Sequence, residues 1–247
     1  MKTTENTILI TGAASGIGLE IAKLFSRQNN KVIMADKATA ELEAEAAKLT
    51  NAIAITVDLA DENDITKFIE TLRAEHKDLN IAVLNAAVAH HYALFSPGYQ
   101  LASAIAEINT NYIANVRLTN ELEPLLSSKK DAAFVITTSA LAFVPSVQYP
   151  TYSVTKAALH SYILSARLTL NRKGSTIKVF DLMPPLTETP LTKETDVPKI
   201  TAAEVAAWFM NSFENDELEI HVGRTGNLFE LFLKSPTEAL MTVNGGN

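Results

Sequence analysis

The chain has 247 residues, of which 47% are hydrophobic and 20% charged, enough apolar material for the core of one large α/β domain spanning residues 1–247. A formal charge of −7 and an isoelectric point near 5.3 oppose binding to a nucleic-acid backbone or an anionic lipid surface, so no nucleic-acid or membrane partner is expected. With no cysteine, disulfides, thiolate nucleophiles and Cys-ligated metal centres are excluded, and the composition suits a reducing compartment.

In chain order, Met1-Lys2-Thr3-Thr4-Glu5 lacks the charged, apolar and cleavage regions of an export signal and runs straight into a strand at 7–11, so the expected compartment is the cytoplasm. Ile17, Ile21, Leu24 and Phe25 mark one face of a first helix. A strand at 31–35 precedes residues 39–49, rich in the helix formers Ala, Glu and Leu. The pattern repeats with a strand at 52–57, a helix faced by Ile65, Phe68, Ile69 and Leu72, and a strand at 81–85. Ser96-Pro97-Gly98 reads as a loop, and residues 101–126 as a long helical segment. A strand at 133–138, a helix at 152–173 with the stripe Leu159, Ile163, Ala166 and Leu170, and a strand at 177–182 follow. Residues 183–200 carry Pro184, Pro185, Pro190 and Pro198 without clear periodicity, which predicts a long loop inside a substrate-loop region of about 184–215. A last strand is expected at 219–222. The longest nearly apolar run, 132–145, is broken by Thr137, Thr138 and Ser139 and falls short of the ~20 residues that span a bilayer. This alternation predicts an α/β, Rossmann-type doubly wound parallel sheet of about seven buried strands flanked by helices.

The chemistry begins at Thr11-Gly12-Ala13-Ala14-Ser15-Gly16-Ile17-Gly18, between the first strand and the first helix. Glycines there let backbone N–H groups approach a pyrophosphate at a helix N-terminus. Asp36 ends the second strand 18 residues beyond Gly18, where a carboxylate accepts from an adenosine ribose and repels a 2′-phosphate. This favours NAD, while the neighbouring Lys37 leaves NADP open. Tyr152 and Lys156, four apart at the start of a helix, project from one face.

In this order the motifs resemble the short-chain dehydrogenase/reductase family, in its standard-length single-domain form, over nearly the whole chain. Thr11–Gly18 resembles the TGxxxGxG cofactor turn, implying contacts from Gly12, Ser15, Gly16, Ile17 and Gly18; Ser15 stands where many NADP-dependent members carry a basic residue. Tyr152-Ser153-Val154-Thr155-Lys156 resembles the YxxxK motif, and Ser139 lies 13 residues before Tyr152, the family spacing. Asn111 resembles the helix asparagine of the catalytic tetrad, and Pro124 falls where that helix carries proline. By the same resemblance Asp58 and Leu59 would meet the adenine, Asn85-Ala86 would form the first part of an NAG segment, and Pro184, Thr187 and Thr189 would approach the nicotinamide. Ala87 replaces that segment's glycine, and Pro185 replaces the glycine of the usual Pro-Gly. The Pro-Pro variant and the segment after Gly223 resemble a bacterial branch found alongside D-alanine esterification of teichoic acid, a neighbourhood and not an activity.

The resemblance implies hydride exchange between a nicotinamide cofactor and a small-molecule alcohol or carbonyl substrate. Tyr152 would act as general acid/base, Ser139 would orient the substrate oxygen, and Lys156 would lower the tyrosine pKa and hold the nicotinamide ribose. Asn111 would join a water-linked proton relay. Val88, Leu141, Tyr149 and Leu186 are the expected substrate pocket, an apolar mouth. The segments 101–126 and 152–173 resemble the family's paired interface helices, implying a homodimer or homotetramer. The rival from another class is a nucleotide-sensing regulator without turnover, which would not require Ser139, Tyr152 and Lys156. Adjacent His90 and His91 would point to different faces of a strand and no HExxH motif is present, so they are expected as loop or pocket-rim residues without a metal site, and Trp208 is expected to pack a helix.

Overall fold

The computed structural model describes residues 1–96, 101–194 and 197–245. Strands β1 (Thr7–Thr11), β2 (Lys31–Asp36), β3 (Ala52–Thr56), β4 (Ile81–Leu84), β5 (Ala133–Thr137), β6 (Lys178–Met183) and, further on, Glu219–His221 fall within one residue of their expected limits. They form a seven-stranded sheet in which every pairing is parallel. Five of the first six are almost wholly buried, but β3 is an edge strand, half-exposed along its length, against the expectation that all are buried.

Helices α1 (Gly16–Arg27), α2 (Thr39–Ala46) and α3 (Glu62–Glu75) follow the first three strands. Asp61 starts α3 because its carboxylate accepts from the amides of Asn63 and Asp64 at 2.8 and 3.1 Å. The expected helical segment is continuous but divided: α4 (Leu101–Glu107) widens into a π turn at Ile108–Ile113 and continues as α5 (Ala114–Leu126). α6 (Pro150–Arg172) begins with proline, whose missing N–H costs nothing in a first turn. Pro97 and Gly98 of the expected loop lie outside the described residues.

The segment after β6 differs from the predicted long loop. β7 (Thr187–Glu188) and β8 (Ile200–Thr201) pair in parallel as a separate two-stranded sheet. α7 (Ala202–Glu214) then leaves the substrate-loop region for the core, because Val205, Phe209 and Phe213 form an apolar face. Phe209 and Phe213 meet Phe25 of α1 edge-on at centroid distances of 6.1 and 6.0 Å. Truncating either to alanine would cost about 3–5 kcal/mol. On the same helix Trp208 is 47% exposed, so it does not serve the packing expected of it. The seventh strand, β9 (Glu219–His221), leads into α8 (Arg224–Lys234) and α9 (Pro236–Asn244).

The two faces of the sheet have separate cores. One gathers residues of α1, α2 and α7, such as Phe25, Leu42 and Phe209; the other gathers residues of α3, α5 and α6, such as Phe68, Leu122 and Leu159. Strand order β3-β2-β1-β4-β5-β6-β9 reverses between β1 and β4, opening a crevice at the carboxyl ends of the strands.

Candidate active site

The glycine turn occupies that crevice. A Cβ on Gly12 would stand 2.9 Å from Ala86 Cα, and one on Gly18 only 2.2 Å from the Gly12 carbonyl oxygen, so the turn folds this tightly only with glycine at both positions. Asn85 laces the strand ends: its Nδ2 donates to the Thr11 and Gly12 carbonyls at 3.2 and 3.4 Å, and its Oδ1 accepts from Thr137 Oγ1 at 3.3 Å. The start of α1 has neither a side-chain cap from Ser15 nor an acid in its first turn, and Ser15, Gly16 and Ile17 line the cleft. Uncapped amides at a positive helix end fit a pyrophosphate.

Asp36 has a second task that the sequence did not reveal. Its Oδ2 accepts from the Ala14 amide and its Oδ1 from the Ala38 amide, both at 3.1 Å, tying the turn to the exit of β2. A carboxylate retains further acceptor capacity beyond these two bonds. Lys37 is exposed beside it. Asp58 accepts from the Ala60 amide at 2.9 Å, and both it and the buried Leu59 line the same end of the cleft.

At the other side of the reversal, Lys156 is 2% exposed, and its Nζ donates to the Thr137 carbonyl at 2.7 Å. That Nζ lies 5.4 Å from the centre of the Tyr152 ring, as expected for residues one turn apart on α6. Ser139, just beyond β5, hydrogen-bonds the Tyr152 phenol, and its Oγ accepts from the Leu141 amide at 3.1 Å, fixing the turn Ala140–Ala142. Asn111 is fully buried in the π turn. Its Oδ1 accepts from Val88 N and its Nδ2 donates to Val88 O, both at 2.8 Å, and it makes no direct hydrogen bond to Lys156. It therefore clamps the loop that leaves β4, while its own carbonyl accepts from Asn115 Nδ2 at 2.7 Å.

Burial pushes the Tyr152 phenol well above its ordinary value; the Ser139 hydrogen bond opposes this, and the Glu107 carboxylate adds to it. Lys156, expected to depress the phenol, is itself pushed down to about 8 by burial, with the carboxylate of Asp181 pulling it back up. A phenolate and an ammonium both lose hydration here, and the ammonium keeps a hydrogen bond to Thr137 O. Glu107 was not singled out in the sequence. It is fully buried on α4, accepts from His90 N at 2.6 Å and contacts His90 Nδ1 at 3.2 Å; burial raises its own pKa. His91 packs against Tyr149 with ring centres 5.6 Å apart. Among the described residues no cluster of three or more His, Cys, Asp or Glu could hold a metal.

The cleft encloses about 1130 Å³ and includes the expected Val88, Leu141, Tyr149 and Leu186, together with Ala86, Ala87, Pro184, Thr187 and Thr189. Thr187 keeps its hydroxyl on the Pro185 carbonyl at 2.8 Å, and Thr189 leans over the glycine turn, where a Cβ on Gly16 would stand 2.9 Å from its Cγ2. The far wall comes from α8 and α9, including Arg224, Thr225, Leu228 and Asn244. Asn244 accepts from Val147 N at 2.7 Å and donates to Pro145 O at 3.0 Å, fastening α9 to the loop before Tyr152. No local pattern in the sequence announces this wall, because a return of the chain from β9 brings it there.

The family described as short chain dehydrogenase matches residues 6–199. The chain is 33% identical over 226 residues to DltE of Bacillus subtilis, described as an uncharacterized oxidoreductase, covering 89% of each chain. It is 34% identical over 187 residues to serine 3-dehydrogenase of Agrobacterium fabrum, covering 75% of this chain and 74% of the relative. Among solved structures it is similar to a short chain dehydrogenase/reductase of Burkholderia phymatum in complex with NAD, with TM-score 0.85 and 16% identity over 100% of this chain and 97% of the other. A short chain dehydrogenase of Burkholderia cenocepacia in complex with NADP also has TM-score 0.85, with 20% identity over 98% of each chain. At these identities the structural likeness shows the fold.

Proposed function

Since the chain belongs to the short-chain dehydrogenase family of oxidoreductases, we propose that it moves a hydride between a nicotinamide cofactor and a secondary alcohol or its carbonyl, with Tyr152 as general acid/base. The observation that supports this most is the convergence, in one cleft, of an uncapped glycine turn with Tyr152, Ser139 and Lys156. A regulator that only sensed the nucleotide would not need that second group of residues.

The phosphates would rest on Gly12–Ile17, the adenosine between Asp36 and Leu59, and the nicotinamide beside Asn85–Ala86, Pro184, Thr187 and Thr189. When bound, the cofactor supplies a hydride acceptor or donor and, in its oxidised form, a positive charge. The remaining work falls to the chain. With its phenol held protonated by burial, Tyr152 is set to give a proton to a carbonyl oxygen, and Ser139 donates a second hydrogen bond to that oxygen. In the reverse direction the phenol must first give up its proton, and the Tyr152 phenolate then accepts the alcohol proton as the carbon–hydrogen bond breaks. Lys156, anchored on Thr137 O, keeps an ammonium against the phenol and can hold the ribose. Asn111 sets the backbone of Val88, a residue of the pocket wall; its expected part in a water-linked relay remains part of this reading.

Asp36 favours NAD over NADP by repelling a 2′-phosphate. The expected setting is the cytoplasm, in one domain over residues 1–247, and no described helix is long and apolar enough to cross a membrane. The exposed faces of α4, α5 and α6 support a homodimer or homotetramer. The test is the ultraviolet absorbance of the reduced cofactor over a panel of secondary alcohols and their ketones, with NAD(H) and NADP(H) in parallel. Saturable turnover of at least one pair is expected. Tight cofactor binding with no turnover across the panel would favour the sensor.

A further inference from the structure

The family match ends at residue 199, so the wall formed by α8 and α9 belongs to the part of the chain beyond it. Among the described residues five charged ones line the cleft: Asp36, Lys37, Asp58, Lys156 and Arg224. Asp36 ends β2, Lys37 follows it, and Asp58 follows β3, at one edge of the sheet; Arg224 follows β9, at the other edge. Five strand spacings separate β2 from β9, roughly 24 Å, against a screening length of about 8 Å in physiological salt. The acids at the glycine-turn end therefore do not neutralise Arg224. Among the described residues no carboxylate pairs with it, and its one hydrogen bond, from Nη2 to the Pro198 carbonyl at 3.0 Å, anchors the guanidinium on the loop before β8. Its other N–H groups are left for a ligand.

Two further observations lie at the same place. Arg224 is the first residue of α8, so the positive end of an 11-residue helix coincides with its charge. Thr225, 1% exposed and also lining the cleft, has a hydroxyl with no hydrogen-bond partner among the described residues. Between this corner and Ser139, which follows β5, lie two strand spacings, about 10 Å, and the intervening lining includes apolar Leu141, Leu186 and Leu228. That is the span of a small molecule with a reacting carbon at one end and a charge at the other.

We infer that the substrate is an anionic alcohol or carbonyl compound whose carboxylate or phosphate is received by Arg224 and the first turn of α8, while its reacting carbon lies at Tyr152 and Ser139. This rests on reading the cleft as a hydride-transfer site. Guanidinium pairs carboxylates and phosphates in a planar fork, and the apolar stretch between the two ends fits the carbon skeleton that joins the charge to the reacting carbon.

The test compares secondary hydroxy acids of increasing chain length with their methyl esters and with phosphate monoesters of the matching diols. In the wild type, kcat/KM for one anionic series should exceed that for the ester by roughly tenfold or more. Arg224→Gln should bring the ratio near unity, mainly by raising KM for the anion, and Arg224→Lys should restore part of it. Thr225→Val, a separate change at the same corner, should weaken the anion preference. Calorimetric binding of the same acids and phosphates to protein saturated with reduced cofactor gives a readout that needs no turnover. Equal handling of acid, phosphate and ester by the wild type would overturn the anion site while leaving hydride transfer intact, as would an unchanged ratio in Arg224→Gln. Anion binding that depends on Arg224, with no turnover of any compound, would uphold the site and overturn the hydride-transfer reading.

Discussion

His160 on α6 and Asp181 on β6 share a hydrogen bond of 2.8 Å between Nδ1 and Oδ2, and the other carboxylate oxygen of Asp181 accepts from the hydroxyl of Thr138, next to Ser139. Asp181 is fully buried, and His160 forms an ion pair with it when protonated. The carboxylate raises the His160 pKa above its ordinary 6.5, against a lesser lowering by burial. A group raised in the folded state stabilises fully below its unfolded pKa and loses that contribution as pH climbs through the folded value. The melting temperature of the wild type relative to His160→Gln should thus be highest below pH ~6.5 and shrink steadily as the pH rises above it. A difference that does not change with pH would mean that the histidine is neutral throughout.

The same carboxylate acts on Lys156, which burial brings down to about 8. With Tyr152 protonated across the neutral range, carbonyl reduction should hold level and then fall above pH about 8 as the ammonium is lost. Asp181 favours the ammonium, so Asp181→Asn should move that falling limb to lower pH in a kcat/KM profile. A limb that stays in place or moves upward would exclude Asp181 as the group that sets the charge of Lys156.

Buried parallel strands read as continuous apolar runs, which is why β1, β2 and β4 to β6 stood out, while edge strand β3 gave the same composition with a different exposure. Gly12, Gly18, Ser139, Tyr152 and Lys156 were legible because each must hold a fixed spacing along one strand–turn–helix segment. The Asp181–His160 pair was not, since it joins α6 to β6 across 21 positions and neither residue belongs to a local pattern. Val88 was named as pocket lining, but its backbone clamp by Asn111 spans 23 positions and depends on a π turn that periodicity does not reveal. Arg224 and Asn244 escaped for a similar reason: they reach the cleft only after the sheet is complete.

Asp36 should make the protein bind NADH more tightly than NADPH, and Asp36→Ala should weaken NADH binding and narrow the preference. Because the carboxylate also holds the Ala14 and Ala38 amides, the variant should lose stability by about 1 kcal/mol for each hydrogen bond. Calorimetric titration of the wild type with both cofactors settles the order. Tighter NADPH binding would mean that exposed Lys37 outweighs Asp36.

Leu101, Ile105 and Ile108, spaced by four and three, are 60%, 48% and 39% exposed, and Val154, Leu164 and Leu168 on α6 are 62%, 45% and 52% exposed. Such apolar helix faces are larger than a monomer needs. Sedimentation at micromolar concentration should give a dimer or tetramer, and Leu164→Lys with Leu168→Lys should shift it toward the monomer. A wild type that sediments only at 26.8 kDa would refute the assembly.

The most direct test of the account is Tyr152→Phe, which removes the ionisable hydroxyl and keeps the ring beneath which Lys156 packs. On any alcohol or carbonyl that the wild type turns over, kcat should fall by roughly 10²–10⁴-fold or more, while NADH affinity and melting temperature stay close to wild type. A folded Tyr152→Phe protein that binds NADH and keeps substantial turnover would contradict the assignment of Tyr152 as the acid/base.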